Sequence, residues 1–319
     1  MKTTVVGSYP KPKWLLRILN MYRDGKIDKS LMEEACMDSV KSVVKDQEIA
    51  GVDIIWDGEM GREEMVSYFA ERIDGFKIYG KVRVWGNAYY PKPSIVSELE
   101  YREKLVIDDF LYLKSITDRD IKVPITGAYT IVDWSFNEYY LGRDEAIYAL
   151  ADVLNREFRE LVRAGANYIQ LDEPAISTHP EEVEIAKNAV EIMVKGIKAY
   201  IGMHICYGDY KAIFPDILDF KVDQIDFEFA NRKFEDLKIL EDYDYDKDLG
   251  FGCIDVHSKM VESVEEIKRA IKMALDIVEA DQLYVDPDCG LKLLPRNIAF
   301  EKLKVMVKAT DEVKKEFDL

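Results

Sequence analysis

Short apolar runs recur along the chain; each closes on polar residues, and a stretch with helical spacing of its apolar positions usually follows. The runs occupy 3–8 (TTVVGS), 53–59 (DIIWDGE), 123–129 (VPITGAY), 168–173 (YIQLDE), 200–206 (YIGMHIC), 224–228 (QIDFE), 250–255 (GFGCID) and 282–286 (QLYVD). Between them lie helix signals. Ser30 with Glu33 reads as a capping box opening an amphipathic stretch that ends at Ala50, before Gly51. A second helix is predicted from Asp144 to Ala164, stopped by Gly165. Pro180 opens a third, with Ile185, Ala189, Ile192 and Met193 among its apolar positions. Ser263 with Glu266 forms another capping box, ahead of a stripe of Ile267, Ile271, Ala274, Leu275 and Val278. Eight strands alternating with helices predict an α/β fold, a single (β/α)8 TIM barrel domain over 1–319. An open doubly wound sheet is the alternative, but no GxGxxG turn follows any of the strands. Residues 76–95 alternate and contain Gly86-Asn87, which predicts a β-hairpin insertion between the second and third strands.

Composition narrows the partners. With 61 acidic against 44 basic residues, the 319-residue chain carries a net charge of −17, which repels a nucleic-acid backbone. No run approaches the ~18 apolar residues of a membrane helix, and no signal-peptide order opens the chain, so a soluble cytoplasmic protein is expected. Four cysteines, at 36, 206, 253 and 289, are too few for a disulfide scaffold of this size. Only three histidines exist, at 179, 204 and 257, and two of them share short segments with cysteines.

In a parallel barrel, chemistry gathers at the C-terminal ends of the strands. Those ends here carry Ser8, Asp57, Glu59, Tyr129, Asp172, Glu173, His204, Cys206, Glu228, Cys253, Asp255, His257, Asp286, Asp288 and Cys289. His204 and Cys206 stand two apart on one strand, so both side chains point to the same side and can reach one metal ion. Zinc accepts imidazole and thiolate together, and Glu228, Cys253, His257 and Cys289 are the candidates to complete the set. Cys289 lies between Asp288 and Gly290, an unusual setting for a core thiol, and reads as a ligand. A thiolate-rich zinc site with so few histidines favours activating a sulfur substrate over activating water. A thiol bound there is deprotonated at neutral pH yet nucleophilic enough to take an alkyl group.

These segments resemble the catalytic C-terminal barrel of the cobalamin-independent methionine synthase family. The resemblance runs through GSYP (7–10), DGEMGREEMVSYF (57–69), ITGAYTIVDWSF (125–136), IQLDEPA (169–175), HICY (204–207), IDFEFAN (225–231), DVHS (255–258) and DPDCGLK (286–292). It covers essentially the whole chain, in order, and is similar to the short archaeal-type core enzymes that lack the extra N-terminal barrel. It implies one zinc ion held by His204, Cys206, Glu228 and Cys289, with Cys253 a structural residue and Glu228 the ligand that yields to substrate sulfur. It implies that Gly7 and Ser8 hold the carboxylate of L-homocysteine, and that Glu59 and Asp172 hold its ammonium. His257 matches the acid that protonates the departing methyl carrier, with Asp255 orienting it, and Trp134 matches the tryptophan that stacks on the donor's ring. The donor half departs from the family. Tyr89-Tyr90 stands before Pro91-Lys92-Pro93 where the folate enzymes have Arg-Cys, and Thr178 replaces a glutamate. A methylcorrinoid, either free methylcobalamin or a methylated corrinoid protein, is therefore expected as donor, with methyltetrahydropteroylglutamate as the alternative. Other readings are a zinc thiol alkyltransferase with another acceptor such as coenzyme M, a non-catalytic zinc-binding homologue, and a hydrolytic metalloenzyme.

Overall fold

Helices separate most of the strands in the computed structural model, which describes residues 1–83, 89–243 and 245–318. The strands are β1 (Lys2–Thr3), β2 (Ile54–Ile55), β3 (Ile73–Arg83), β4 (Tyr89–Tyr101), β5 (Asp120–Thr126), β6 (Phe136–Asn137), β7 (Tyr168–Asp172), β8 (Tyr200–Ile205), β9 (Gln224–Glu228), β10 (Asp248–Ile254) and β11 (Leu283–Pro287). Eight of them form one parallel sheet in the order β1-β11-β10-β9-β8-β7-β5-β2. An isolated parallel bridge between Thr4 and Ile54 brings the order back to its start, giving the nearly closed barrel sheet of a TIM-type α/β fold. All five residues of β7 and of β9 are buried. Apolar and polar side chains alternate along them, yet Gln170, Asp172, Gln224, Asp226 and Glu228 are as buried as their apolar neighbours, because both faces of such a sheet are covered.

The helices are α1 (Lys13–Arg23), α2 (Lys29–Ala50), α3 (Ser67–Ala70), α4 (Ile107–Ile116), α5 (Ala128–Asp133), α6 (Arg143–Ala164), α7 (Val183–Val194), α8 (Leu237–Asp242), α9 (Val264–Leu275) and α10 (Arg296–Glu316). The chain contacts divide into two units. One comprises Met1–Gly61, Tyr112–Lys122 and Ile225–Leu319; the other comprises Arg62–Leu111 and Val123–Gln224. In the first, α10 packs on α9 and on α2. In the second, α6 packs on α7, and β3, β4 and β6 form a separate three-stranded sheet. β3 and β4 pair antiparallel within residues 76–95, while the Gly86-Asn87 turn expected to join them lies outside the described residues. β6, which pairs parallel with β4, has no counterpart among the predicted strands.

Several boundaries differ from expectation, each for a local reason. Of residues 3–8 only the beginning pairs regularly, because the chain beyond turns its backbone elsewhere: the Ser8 carbonyl accepts from the N–H of Leu291 at 2.7 Å. Of residues 53–59 only Ile54 and Ile55 form strand. Next to them, the Gln47 side chain of α2 takes both backbone groups of Trp56, donating to its carbonyl at 2.7 Å and accepting its N–H at 3.3 Å. Tyr129 is not a strand end but lies in α5, whose first N–H groups are capped by the carboxylate of Glu173. α2 starts before the predicted Ser30 box: Asp28, in extended conformation, accepts from Leu31 N at 2.9 Å and serves as cap. The Ser263–Glu266 box of α9 forms as predicted, and Gly51 and Gly165 end α2 and α6 in left-handed conformation. The buried stripe of α7 is Val183, Ala186, Ala189, Val190 and Met193, with Ile185 and Ile192 only half-buried.

Candidate active site

The ends of β7 and β8 are locked together by the backbone. Asp172 stands opposite His204 in the parallel register, and the N–H of Glu173 donates to the His204 carbonyl at 3.0 Å. Cys206 lies one residue beyond β8. Ser177 Oγ, at 3.2 Å from the carbonyls of both Cys206 and Tyr207, holds the turn beyond that strand. His204 and Cys206 are both buried, as the alternation of a parallel strand end places them. The Asp172 carboxylate accepts from Gln170 Nε2 at 2.7 Å, which aims it along the same strand end. Glu173, beside it, is fully buried and accepts from Tyr129 N at 3.2 Å, Thr130 N at 2.8 Å and Thr130 Oγ1 at 2.6 Å. Burial pushes its carboxyl up to about 7 against the pull of those hydrogen bonds. Glu173 is thus the cap of α5, the helix whose C-terminal cap is the part-exposed Trp134. On the donor side, Tyr89 and Tyr90 are exposed on β4, and Thr178 Oγ1 donates to the Ala175 carbonyl.

In the unit that contains both chain ends, three loops are laced together. Tyr9 N donates to the Gly58 carbonyl at 2.9 Å, tying the Gly7-Ser8 segment to the turn after β2. Leu291 N donates to the Ser8 carbonyl, tying it also to the segment after β11. Gly290 approaches so closely that a Cβ there would lie 2.0 Å from Ser8 Oγ and force that hydroxyl to turn away. Gly7, Ser8 and Cys289 accordingly line one narrow crevice with Val5, Val6 and Gln47. Glu59 holds a left-handed conformation, φ 59°, stabilised by Asp57 Oδ1 accepting its N–H at 2.7 Å and Lys11 Nζ donating to its carbonyl at 2.7 Å. Burial lowers the affinity of Lys11 for its proton, and Glu59 and Asp57 oppose the shift.

Glu228 is buried at the end of β9, and Asp288 fixes the turn just past it. The fully buried Asp288 carboxylate accepts from Phe229 N at 2.9 Å, Ala230 N at 2.8 Å and Asn231 N at 2.8 Å. It thereby joins the residue after Glu228 to the residue before Cys289. Cys253 is buried in β10, its thiol pushed well up by burial and by the acids Asp286, Asp288 and Glu262. His257 is part-exposed, its N–H donating to Asp255 Oδ1 at 2.8 Å and its Nδ1 3.4 Å from the same oxygen. Strand-end position flagged Glu173 and Asp288 in the sequence but gave neither a role, because a carboxylate that caps a distant backbone leaves no local pattern.

One ligand atom each of His204, Cys206 and Cys289 lies within 4.8 Å of the others, a group among the described residues that could hold a metal ion. Glu228 is not part of that group. Two thiols and an imidazole form a soft donor set that suits zinc.

Known proteins resemble this chain over nearly its whole length. Residues 1–312 match the family described as cobalamin-independent synthase, catalytic domain. A methionine synthase of Thermococcus kodakarensis is 50% identical over 317 residues, covering 99% of this chain and 94% of its own. One of Pyrococcus furiosus is 50% identical over 319 residues, covering 100% and 94%. Among solved structures, a B12-independent methionine synthase from Shewanella sp. W3-18-1 in complex with selenomethionine superposes with a TM-score of 0.89 at 27% identity, covering 99% of this chain and 98% of that one. That kinship is with B12-independent enzymes and gives no support to the methylcorrinoid donor that the altered donor-side residues suggested. Matched over nearly its whole length and half identical to such relatives, the chain belongs to the cobalamin-independent methionine synthase family of methyltransferases.

Proposed function

We propose that residues 1–319 act as one catalytic domain that transfers a methyl group to the sulfur of L-homocysteine, giving L-methionine, with a methyltetrahydropteroylglutamate as donor. The observation that carries the reading is the meeting of His204, Cys206 and Cys289 ligand atoms within 4.8 Å. With Glu228 they would hold zinc, which supplies the charge that keeps a substrate thiol ionised at neutral pH. Gly7 and Ser8 take the amino-acid carboxylate, and Glu59 and Asp172 take its ammonium. The Shewanella enzyme's complex with selenomethionine, an analogue of the product, supports an amino-acid subsite of this kind. Trp134 stacks on the donor ring. The sulfur lone pair then forms the new bond to the methyl carbon, the bond from that carbon to the donor nitrogen breaks with its electrons, and His257 delivers a proton to the nitrogen.

Donor choice is tested by steady-state kinetics of the zinc-loaded enzyme with homocysteine. A higher kcat/KM with methyltetrahydropteroylglutamate than with methylcobalamin is expected. The reverse order would transfer the donor role to a corrinoid, in line with Tyr89, Tyr90 and Thr178. Methylation of coenzyme M in preference to homocysteine would overturn the acceptor.

A further inference from the structure

Behind the His257 loop lies an ion pair that the methyl transfer leaves unused. Lys302, on α10, has a side chain that is 0% exposed. Its ammonium donates to both carboxylate oxygens of Glu262, at 2.7 and 2.9 Å, and to the Asp255 carbonyl at 3.0 Å. Glu262 Oε1 in turn accepts the N–H of Asp255 at 3.1 Å. The pair therefore holds both backbone polar groups of a single residue. That residue's own carboxylate accepts the N–H of His257 and faces its Nδ1.

Stability alone is a poor reason for this arrangement. Taking an ammonium and a carboxylate out of water costs several kcal/mol, and an apolar pair of similar volume commonly serves a core as well or better. An apolar pair cannot, however, grip a peptide N–H and a carbonyl at once and so fix the rotation of one residue. We infer that Lys302 and Glu262 are positioning residues for His257, acting through Asp255. They hold the Asp255 carboxylate where it keeps the imidazole proton on Nδ1 and fixes the direction of the ring's other edge, Nε2. The inference rests on the reading of His257 as the acid, but the orientation it describes can be measured without turnover.

The chain has only three histidines, so ring-nitrogen NMR of protein labelled at histidine resolves them individually. In the wild type, the neutral His257 ring carries its proton on Nδ1. In Glu262→Gln and Lys302→Met, its two nitrogen signals move toward the averaged values of a free imidazole. Because either single variant leaves a charge buried alone, Lys302→Met/Glu262→Leu is the companion that removes both charges and folds. It shows the same loss of tautomer preference, with kcat lowered roughly tenfold to a hundredfold and the KM for homocysteine within about twofold. Wild-type ring signals in the folded double variant would overturn the inference. Altered ring signals with an unchanged kcat would uphold the positioning and reject His257 as the acid, so the two ideas fail separately.

Discussion

Three buried carboxylates do their work by collecting backbone N–H groups: Glu157, Glu173 and Asp288. Each trades desolvation for hydrogen bonds, and burial wins in all three, raising the carboxyl above its ordinary range. Glu157 on α6 is the clearest to test, since it stands away from the site. It accepts from Leu105 N at 3.0 Å, Val106 N at 2.7 Å and Tyr101 Oη at 2.6 Å. A carboxyl with a raised native pKa binds its proton more tightly when folded. Its contribution is complete below the unfolded value of about 4.3 and is lost as pH rises through the native one. Glu157→Gln keeps an acceptor for the two N–H groups and has no proton to lose. Its stability relative to wild type in urea unfolding therefore increases as pH is raised from the acid range toward neutral; a difference constant with pH would contradict this.

At the scale of elements, short helices and loops near the strand ends are held by single capping groups, so their placement is sensitive to one atom. α5 is an instance. Its N-terminal Gly127 lies so close to Glu173 that an added Cβ would sit 2.0 Å from Oε1. Gly127→Ala must displace either the cap or the helix, at a cost of about 1–3 kcal/mol. Because α5 ends at Trp134 and carries none of the residues assigned to homocysteine, the KM for the methyl donor rises several-fold while that for homocysteine stays within about twofold. Equal rises for both substrates would detach Trp134 from the donor. The contrast between α2 and α9 belongs to this scale too. Ser263–Glu266 caps as its sequence suggests, whereas Asp28 takes precedence over Ser30, because either side chain can cap and the helix extends back to the first one in extended conformation.

For the whole molecule, the buried core is supplied by strand interiors and helix stripes, and the proposed metal ligands sit at strand ends and in the loops beyond them. Removing the metal with a chelator is accordingly expected to abolish methyl transfer while leaving far-UV circular dichroism unchanged, with thermal stability lowered by the binding linkage alone and activity restored by zinc. Collapse of the circular dichroism on chelation would make the metal structural instead. The sequence by itself determined the succession of strands and helices, the parallel character of the sheet and the strand ends that bear chemistry. These are written in nearest-neighbour periodicity and in residue type, as in His204-Ile205-Cys206, and need no knowledge of distant partners. Only the tertiary structure decided that Glu173 caps α5, that Gln47 cuts β2 short and that Lys302 and Glu262 grip Asp255. A hydrogen bond between residues far apart in the chain is fixed by where the backbone brings them, and spacing along a sequence does not encode that distance.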